Sequence, residues 1–297
     1  MTVAAGPGFR TMTSVEETLQ TLAALGSEGC LLAGGTDVMI QLRRGDLTPS
    51  VLVHIERVPG LSEICLNGGL TLGALTTHRA MRGSELVVSR YPALAKASSQ
   101  VGGWQTQAIG TIAGNIANAS PAADLVPPLM VHGAIVALES VRGARDVPLD
   151  AYIVGRRETV READELITGV RLETAPPHSA DEFVKVGRRG AMEVAIVAVA
   201  VRLTLDPSGE TITDARIAVG ACGPLAFRAG AAEQLLIGQV PHSELFAAAA
   251  RAVTAQAEPI DDARASQDYR LRVLPRVIGR ALRNCVDTIN RREERAS

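Results

Sequence analysis

Apolar positions recur three and four residues apart at Val15, Leu19, Leu22 and Ala23, which predicts an amphipathic helix. Ser14 and Glu17 stand at the S-x-x-E spacing of a capping box before it, and Gly26 and Gly29 predict its end. The pattern then changes. Residues 30–33 form a short unbroken apolar run into Gly34-Gly35, as in a buried strand entering a tight turn. Thr36 or Asp37 can cap the next helix, which carries Val38, Met39 and Leu42 and ends near Gly45. Another short strand is predicted over 51–55. Residues 64–66 and 70–72 flank Asn67-Gly68-Gly69, and asparagine and glycine both tolerate the positive φ of a hairpin turn. Helices are predicted over 77–81, 92–100 and 124–131, and strands over 135–139 and 166–172. Residues 102–118 read as a glycine-rich polar stretch.

Ala175-Pro176-Pro177-His178-Ser179 breaks any regular element and is the predicted domain boundary, dividing the chain into residues 1–175 and 179–290. Strands are predicted beyond it near 182–186, 194–205 and 212–221, with Asp206-Pro207-Ser208-Gly209 turning between the last two. An alanine-rich helix over 245–257 and an arginine-rich amphipathic helix over 266–286 follow. The charged tail through Arg295 reads as a solvated end. Strands and helices mixed without regular βαβ alternation indicate the α+β class.

Composition removes several function classes. With 30 Lys+Arg against 32 Asp+Glu the net charge is −2, which argues against nucleic-acid binding. Only 3% of residues are aromatic, too few to build stacking platforms for bases. The longest apolar run, residues 194–201, is far short of the roughly 20 residues of a membrane span. No secretory signal pattern opens the chain. Cys30, Cys65, Cys222 and Cys285 form no C-x-x-C pair and are read as reduced thiols of a cytoplasmic protein. The five histidines lack metal-ligand spacing, so no metal site is assigned.

Two segments are candidates for chemistry, Leu32-Ala33-Gly34-Gly35-Thr36-Asp37 and Gly110-Thr111-Ile112-Ala113-Gly114-Asn115. Glycines let backbone amides approach a phosphate without Cβ interference, and a following helix start adds positive dipole. Both loops are neutral, which suits a diphosphate held by backbone donors; the bland alternative is a pair of ordinary turns. There is no G-x-G-x-x-G, G-K-[ST], G-x-S-x-G or H-E-x-x-H, and nothing pairs a nucleophile with a base, so no catalytic residue is assigned.

The run LLAGGTDVMIQLR over 31–43 resembles the first FAD pyrophosphate loop of the flavoprotein subunits of molybdenum hydroxylases. That family includes the medium subunit of carbon monoxide dehydrogenase and the FAD domain of xanthine dehydrogenase. LGALTTH (72–78), AIGTIAGNIANASPAADLVPP (108–128), FVKVGRR (183–189) and DDARASQDYRLR (261–272) resemble its later blocks, in family order. The resemblance implies an FAD-binding domain of the vanillyl-alcohol-oxidase (PCMH) type with two α+β subdomains. A small sheet-plus-helices domain like that of the carbon monoxide dehydrogenase flavoprotein would follow it.

It also implies site residues. Leu32, Ala33, Gly34, Gly35, Thr36 and Asp37 would line the diphosphate. Thr111, Ile112, Ala113, Gly114 and Asn115 would form a second clamp. Asp124 would accept from ribityl or ribose hydroxyls, Ile167 would touch the isoalloxazine edge, and Lys185 would lie by the ring. Lys185 is one of only two lysines beside 28 arginines. Two departures stand out. Ala113 replaces a glycine common in the family, and a positive φ there would cost about 1 kcal/mol. Residues 191–196 lack the aromatic that some relatives place over the flavin, so no stacking residue is carried over.

The implied role is a non-covalent FAD electron-transfer subunit. A large molybdopterin-binding subunit and a small [2Fe–2S] subunit would be its partners, in a dimer of heterotrimers. Molybdopterin and the clusters would belong to those partners alone. A stand-alone flavin oxidase of the same fold and a flavin-less scaffold subunit remain the alternatives.

Overall fold

The structure, a computed structural model, describes residues 6–190 and 192–294. Residues 1–5 of the expected first domain, Ala191 of the segment searched for an aromatic, and Arg295 of the tail lie outside the described residues.

The first layer is a three-stranded parallel sheet, with Val51–His54 between Gly8–Thr11 and Gly29–Leu32. Helix Val15–Leu25 packs on it through Leu22, which shares a core with Val53 and Ile55. The Ser14 hydroxyl caps that helix by accepting from the Glu17 amide at 3.1 Å. The reciprocal half of the expected box is displaced by one residue. The Glu17 carboxylate takes the Thr13 amide at 2.7 Å and the Thr13 hydroxyl at 2.9 Å. Helix Val38–Arg44 stops at Gly45, which sits at φ 75°.

The second layer is a five-stranded antiparallel sheet in the order Ile64–Leu66, Gly69–Gly73, Leu166–Glu173, Ile135–Ser140, Gly143–Pro148. Its first hairpin turns at Gly68, φ 66°, as the Asn-Gly pair predicts. Leu70, Leu72, Val136, Leu138, Val170 and Leu172 form one core with helices Pro92–Gln100 and Val126–Val131. The stretch read as polar loop is in fact two six-residue helices, Trp104–Ile109 and Ile112–Ala117, each started by its own capping position at Gly103 and Thr111.

The third layer is a four-stranded antiparallel sheet in the order Ser179–Val186, Val197–Leu205, Ile212–Gly220, Phe227–Arg228. Strand Val197–Leu205 is buried along its whole length, which accounts for the apolar run. Its two faces differ. Val199, Val201 and Leu203 join the core of helices Gly230–Leu236, Ser243–Gln256 and Gln267–Glu294. Ala198 and Ala200 turn to the core of the first half, which Phe183 of the neighbouring strand, paired with Ala200, also enters. The last helix, longer than predicted, is anchored at its start by Arg270. Its Nη1 donates to the carbonyls of Ile196 at 2.7 Å and Ala221 at 2.9 Å, and its Nη2 lies 2.8 Å from Asp262.

This is an α+β fold. The four cysteines are free. No helix among the described residues is long and apolar enough to cross a membrane.

Candidate functional site

A cleft of about 900 Å³ opens where the first two layers meet, within the range of small-molecule and cofactor pockets. Of the residues singled out from sequence, all but Leu32, Ile112 and Lys185 line it. Leu32 and Ile112 point into cores instead, at 7% and 0% exposure.

The first loop leaves strand Gly29–Leu32 and turns at Gly35, φ 67°. The amides of Gly34, Gly35, Thr36 and Asp37 have no acceptor among the described residues, so four consecutive donors are free beside the cleft. Asp37 occupies the N-cap position but does not cap. Its Oδ1 accepts from Asn118 Nδ2 at 2.9 Å, and Asn118 Oδ1 accepts from Gln41 Nε2 at 3.1 Å, which ties the two loops together. Burial pushes the Asp37 carboxyl up, against the opposing pull of Arg157 and the Thr36 hydrogen bond.

The second loop is built differently. The Ile112 amide donates to the Thr76 carbonyl at 2.9 Å and the Ala113 amide to the Ala74 carbonyl at 3.2 Å. The Gly114 amide is taken by the capping hydroxyl of Thr111 at 3.1 Å. These three amides are therefore spent within the protein, and the loop also carries a free acceptor. Asn115 Oδ1 is buried with no partner among the described residues. Ala113 lies inside helix Ile112–Ala117 and is not among the positive-φ residues, so the expected strain at that position is absent. Asp124, 6% exposed, lies deeper. Its Oδ2 accepts from Lys185 Nζ at 2.6 Å, while Oδ1 has no partner among the described residues. Burial pushes its carboxyl up to about 6 in spite of Lys185. Ile167 lines the cleft at the bulge between Ile167 and Gly169, where the sheet turns an extra residue outward.

The two loops are not the whole wall, because Arg157 and Arg161 also line the cleft and add positive charge. Arg157 lies in the turn between strands Ile153–Gly155 and Glu158–Thr159, and Arg161 follows the second of them. Arg157 holds φ 61° there, its amide donating to the Ala119 carbonyl at 2.9 Å. Gly155-Arg156-Arg157-Glu158 carries a weak turn signal, but nothing in it says which cavity the turn meets. Met192 lines the mouth at φ 52°, its amide bonded to the Gly102 carbonyl at 3.2 Å, in the segment that lacks an aromatic. His78 and Cys30 complete the wall. Burial pushes His78 down to about 4, so its ring is neutral near pH 7, and pushes the Cys30 thiol up.

Free amides and guanidinium groups suit an anionic ligand, and unpartnered carbonyl and carboxylate oxygens suit hydroxyl donors. A cofactor carrying both a diphosphate and a polyol, as the FAD implied by the sequence resemblance does, satisfies the two sets at once. Residues 8–174 match the family of the FAD-binding domain in molybdopterin dehydrogenase, and residues 182–285 match the carbon monoxide dehydrogenase flavoprotein C-terminal domain. The chain belongs to this family of FAD-binding oxidoreductase subunits.

Similar proteins include the alpha subunit of the 6-hydroxypseudooxynicotine dehydrogenase complex of Paenarthrobacter nicotinovorans. It is 33% identical over 91% of this chain and 90% of that one. The carbon monoxide dehydrogenase medium chain of Hydrogenophaga pseudoflava is 31% identical over 91% and 93%. A solved carbon monoxide dehydrogenase from the latter organism superposes with a TM-score of 0.91 at 30% identity, covering 97% of this chain and 99% of that one.

Proposed function

We propose that this chain takes electrons from the [2Fe–2S] clusters of a small partner subunit and passes them to an external acceptor. A large molybdopterin subunit would oxidise the substrate, and the whole would assemble as a dimer of heterotrimers in the cytoplasm. Bound FAD supplies a centre that takes up electrons singly and releases them in pairs. The chain's own groups bind and orient it. The amides of Gly34 to Asp37, with Arg157 and Arg161, face the diphosphate. Asn115 and Asp124 accept from hydroxyls, and Ile167 borders the ring. Residues 1–175 form the FAD-binding unit and 179–290 the C-terminal unit.

The observation that carries this reading is the pair of buried, unpartnered oxygens, Asn115 Oδ1 and Asp124 Oδ1, in a cleft whose opposite loop offers free amides. Orphaned buried acceptors are costly unless a ligand or water satisfies them. Relatives of this chain are named for substrates as unlike as carbon monoxide and 6-hydroxypseudooxynicotine. That spread supports substrate choice in another subunit.

The test is purification of the chain alone and with co-expressed small and large subunits. The isolated chain should bind one FAD, and the three together should elute as one complex on size exclusion. A chain that stays colourless with added FAD would support the scaffold alternative. A flavin-loaded chain that forms no complex would overturn the subunit assignment.

A further inference from the structure

A second, much smaller pocket lies at the junction of the two halves and shares no lining residue with the cleft. The first half contributes Arg90, at the end of helix Glu85–Arg90, and His132, which follows helix Val126–Val131. The second half contributes Ser179 and Asp181 of strand Ser179–Val186, Arg202 of strand Val197–Leu205 and Arg292 of the last helix. The pocket holds about 20 Å³. One water-sized particle needs roughly 10–15 Å³, so a single small ion fits, while the five heavy atoms of phosphate or sulfate do not.

Arg202 is the unusual member of the wall. Its side chain is 2% exposed, yet Nε and Nη1 have no partner among the described residues. Its Nη2 lies 3.1 Å from Asp214 and 3.9 Å from Glu173. Both carboxylates also serve Arg216, at 3.4 Å and 2.9 Å. Burial, and then repulsion from Arg216, pulls Arg202 below the usual guanidinium range against the opposing pull of Asp214 and Glu173. Asp181, the carboxylate of the wall itself, is already engaged. Its Oδ2 lies 2.6 Å from His132 Nε2 and accepts from the Ala93 amide at 3.3 Å. Arg90 and Arg292 add two further positive charges, and Arg292 Nη1 donates to a neutral acceptor, the Ser179 carbonyl, at 3.1 Å.

We propose that this pocket is a halide site, in which one chloride ion accepts from an unpaired N–H of Arg202 and ties the C-terminal sheet to the first half of the chain. A water molecule accepts the same hydrogen bond but leaves the buried positive charge uncompensated, and an uncompensated buried charge costs more than an unmade hydrogen bond. A halide supplies acceptor and counter-charge together. Arg90 comes from one half and Arg202 and Arg292 from the other, so an anion between them draws the halves together where three like charges otherwise push them apart. Neither the site nor its test depends on flavin.

Thermal melting of the full-length chain, with sodium chloride replacing sodium gluconate at constant ionic strength, holds general screening fixed and reads the specific effect. The melting temperature should rise with chloride and saturate, gaining roughly 4 °C at a hundredfold excess over the dissociation constant. Arg202→Met should abolish the gain. The exposed pair Arg90→Met and Arg292→Met, made together, should raise the half-maximal chloride concentration by at least about tenfold while the chain still folds. Should Arg202→Met fail to fold, crystals of the unaltered chain grown in bromide decide the matter, with an anomalous peak expected in the pocket beside Arg202. A melting temperature indifferent to chloride, or a gain unchanged in the variants, overturns the site. An ordinary water without anomalous signal in the bromide crystals overturns it as well. A bromide peak with no saturating gain in melting temperature is an adventitious ion only, and overturns the tie between the halves.

Discussion

Gly34 is the position where a single methyl group should do the most damage. A Cβ built there would stand 1.7 Å from the Ile109 carbonyl oxygen and 2.4 Å from its carbon, both backbone atoms. Ordinary contact begins at 3.4 Å, so the two loops would have to part by at least about 1.7 Å. Neither can rotate a side chain out of the way, and overpacking of this kind costs about 1–3 kcal/mol. In a chain of this size that lowers the melting temperature by roughly 2–5 °C. Parting the loops also widens the space between the free amides and Asn115, so FAD affinity should fall by more than about tenfold, or 1.4 kcal/mol. Gly114→Ala is the control. Its Cβ would meet only the Thr111 hydroxyl, at 3.1 Å, which a few tenths of an ångström relieves. Its apo melting temperature should move by less than about 1 °C. Thermal melts of the apo chains and FAD titrations of both variants decide the matter. If Gly34→Ala melts and binds FAD like the unaltered chain, the loop contact does not set the cleft. The sequence pattern suggested that Gly34 clears space for a ligand; the structure gives it a prior duty to the neighbouring backbone.

Three further outcomes are expected. Acid precipitation should release all flavin into the supernatant, because the two potential nucleophiles in the cleft are a thiol whose pKa burial raises and a neutral imidazole; colour in the pellet would show a covalent bond. The isolated chain should be reducible by dithionite yet inert toward aldehydes, purines and carbon monoxide, and substrate-driven flavin reduction by this chain alone would favour the stand-alone oxidase. Arg270→Leu should cost about 2–4 kcal/mol by leaving the carbonyls of Ile196 and Ala221 without their buried donor, Asp262 keeping its pair with Arg264, and an unchanged denaturant midpoint would show that water takes its place.

What the sequence could show depended on how locally each feature is determined. The Ser14 cap, the Asn67-Gly68 hairpin and the stop at Gly45 each depend on a few adjacent residues, and each is where the pattern puts it. Helices Trp104–Ile109 and Ile112–Ala117 were illegible because six residues complete less than two turns, too few for a period to emerge. Strand Gly143–Pro148 escaped for another reason. It lies at a sheet edge with five of its six positions exposed, so no alternation marks it. Arg157 and Lys185 were out of reach in a stronger sense, since their partners lie far off in the chain. The Lys185–Asp124 bond spans 61 positions, and no local pattern encodes which buried carboxylate a distant lysine will meet.

The chemistry of the cleft is nevertheless ordered along the chain. Residues 34–37 contribute donors, because a turn between strand and helix leaves amides with nothing to bond. Residues 111–124 contribute the unpartnered side-chain oxygens of Asn115 and Asp124, while the amides of Ile112, Ala113 and Gly114 are already bonded within the protein. A diphosphate only accepts, whereas a polyol can also donate, so a diphosphate set against Asn115 and Asp124 would leave acceptors facing each other in a low-dielectric cleft. On the proposed reading that complementarity fixes the direction in which FAD lies. The diphosphate meets the first loop and the hydroxyls meet Asn115 and Asp124, while the ring is carried toward Ile167 and the mouth near Met192. The mouth is also where an electron donor or acceptor from outside the chain must approach, and the residues that border it come from both halves of the molecule.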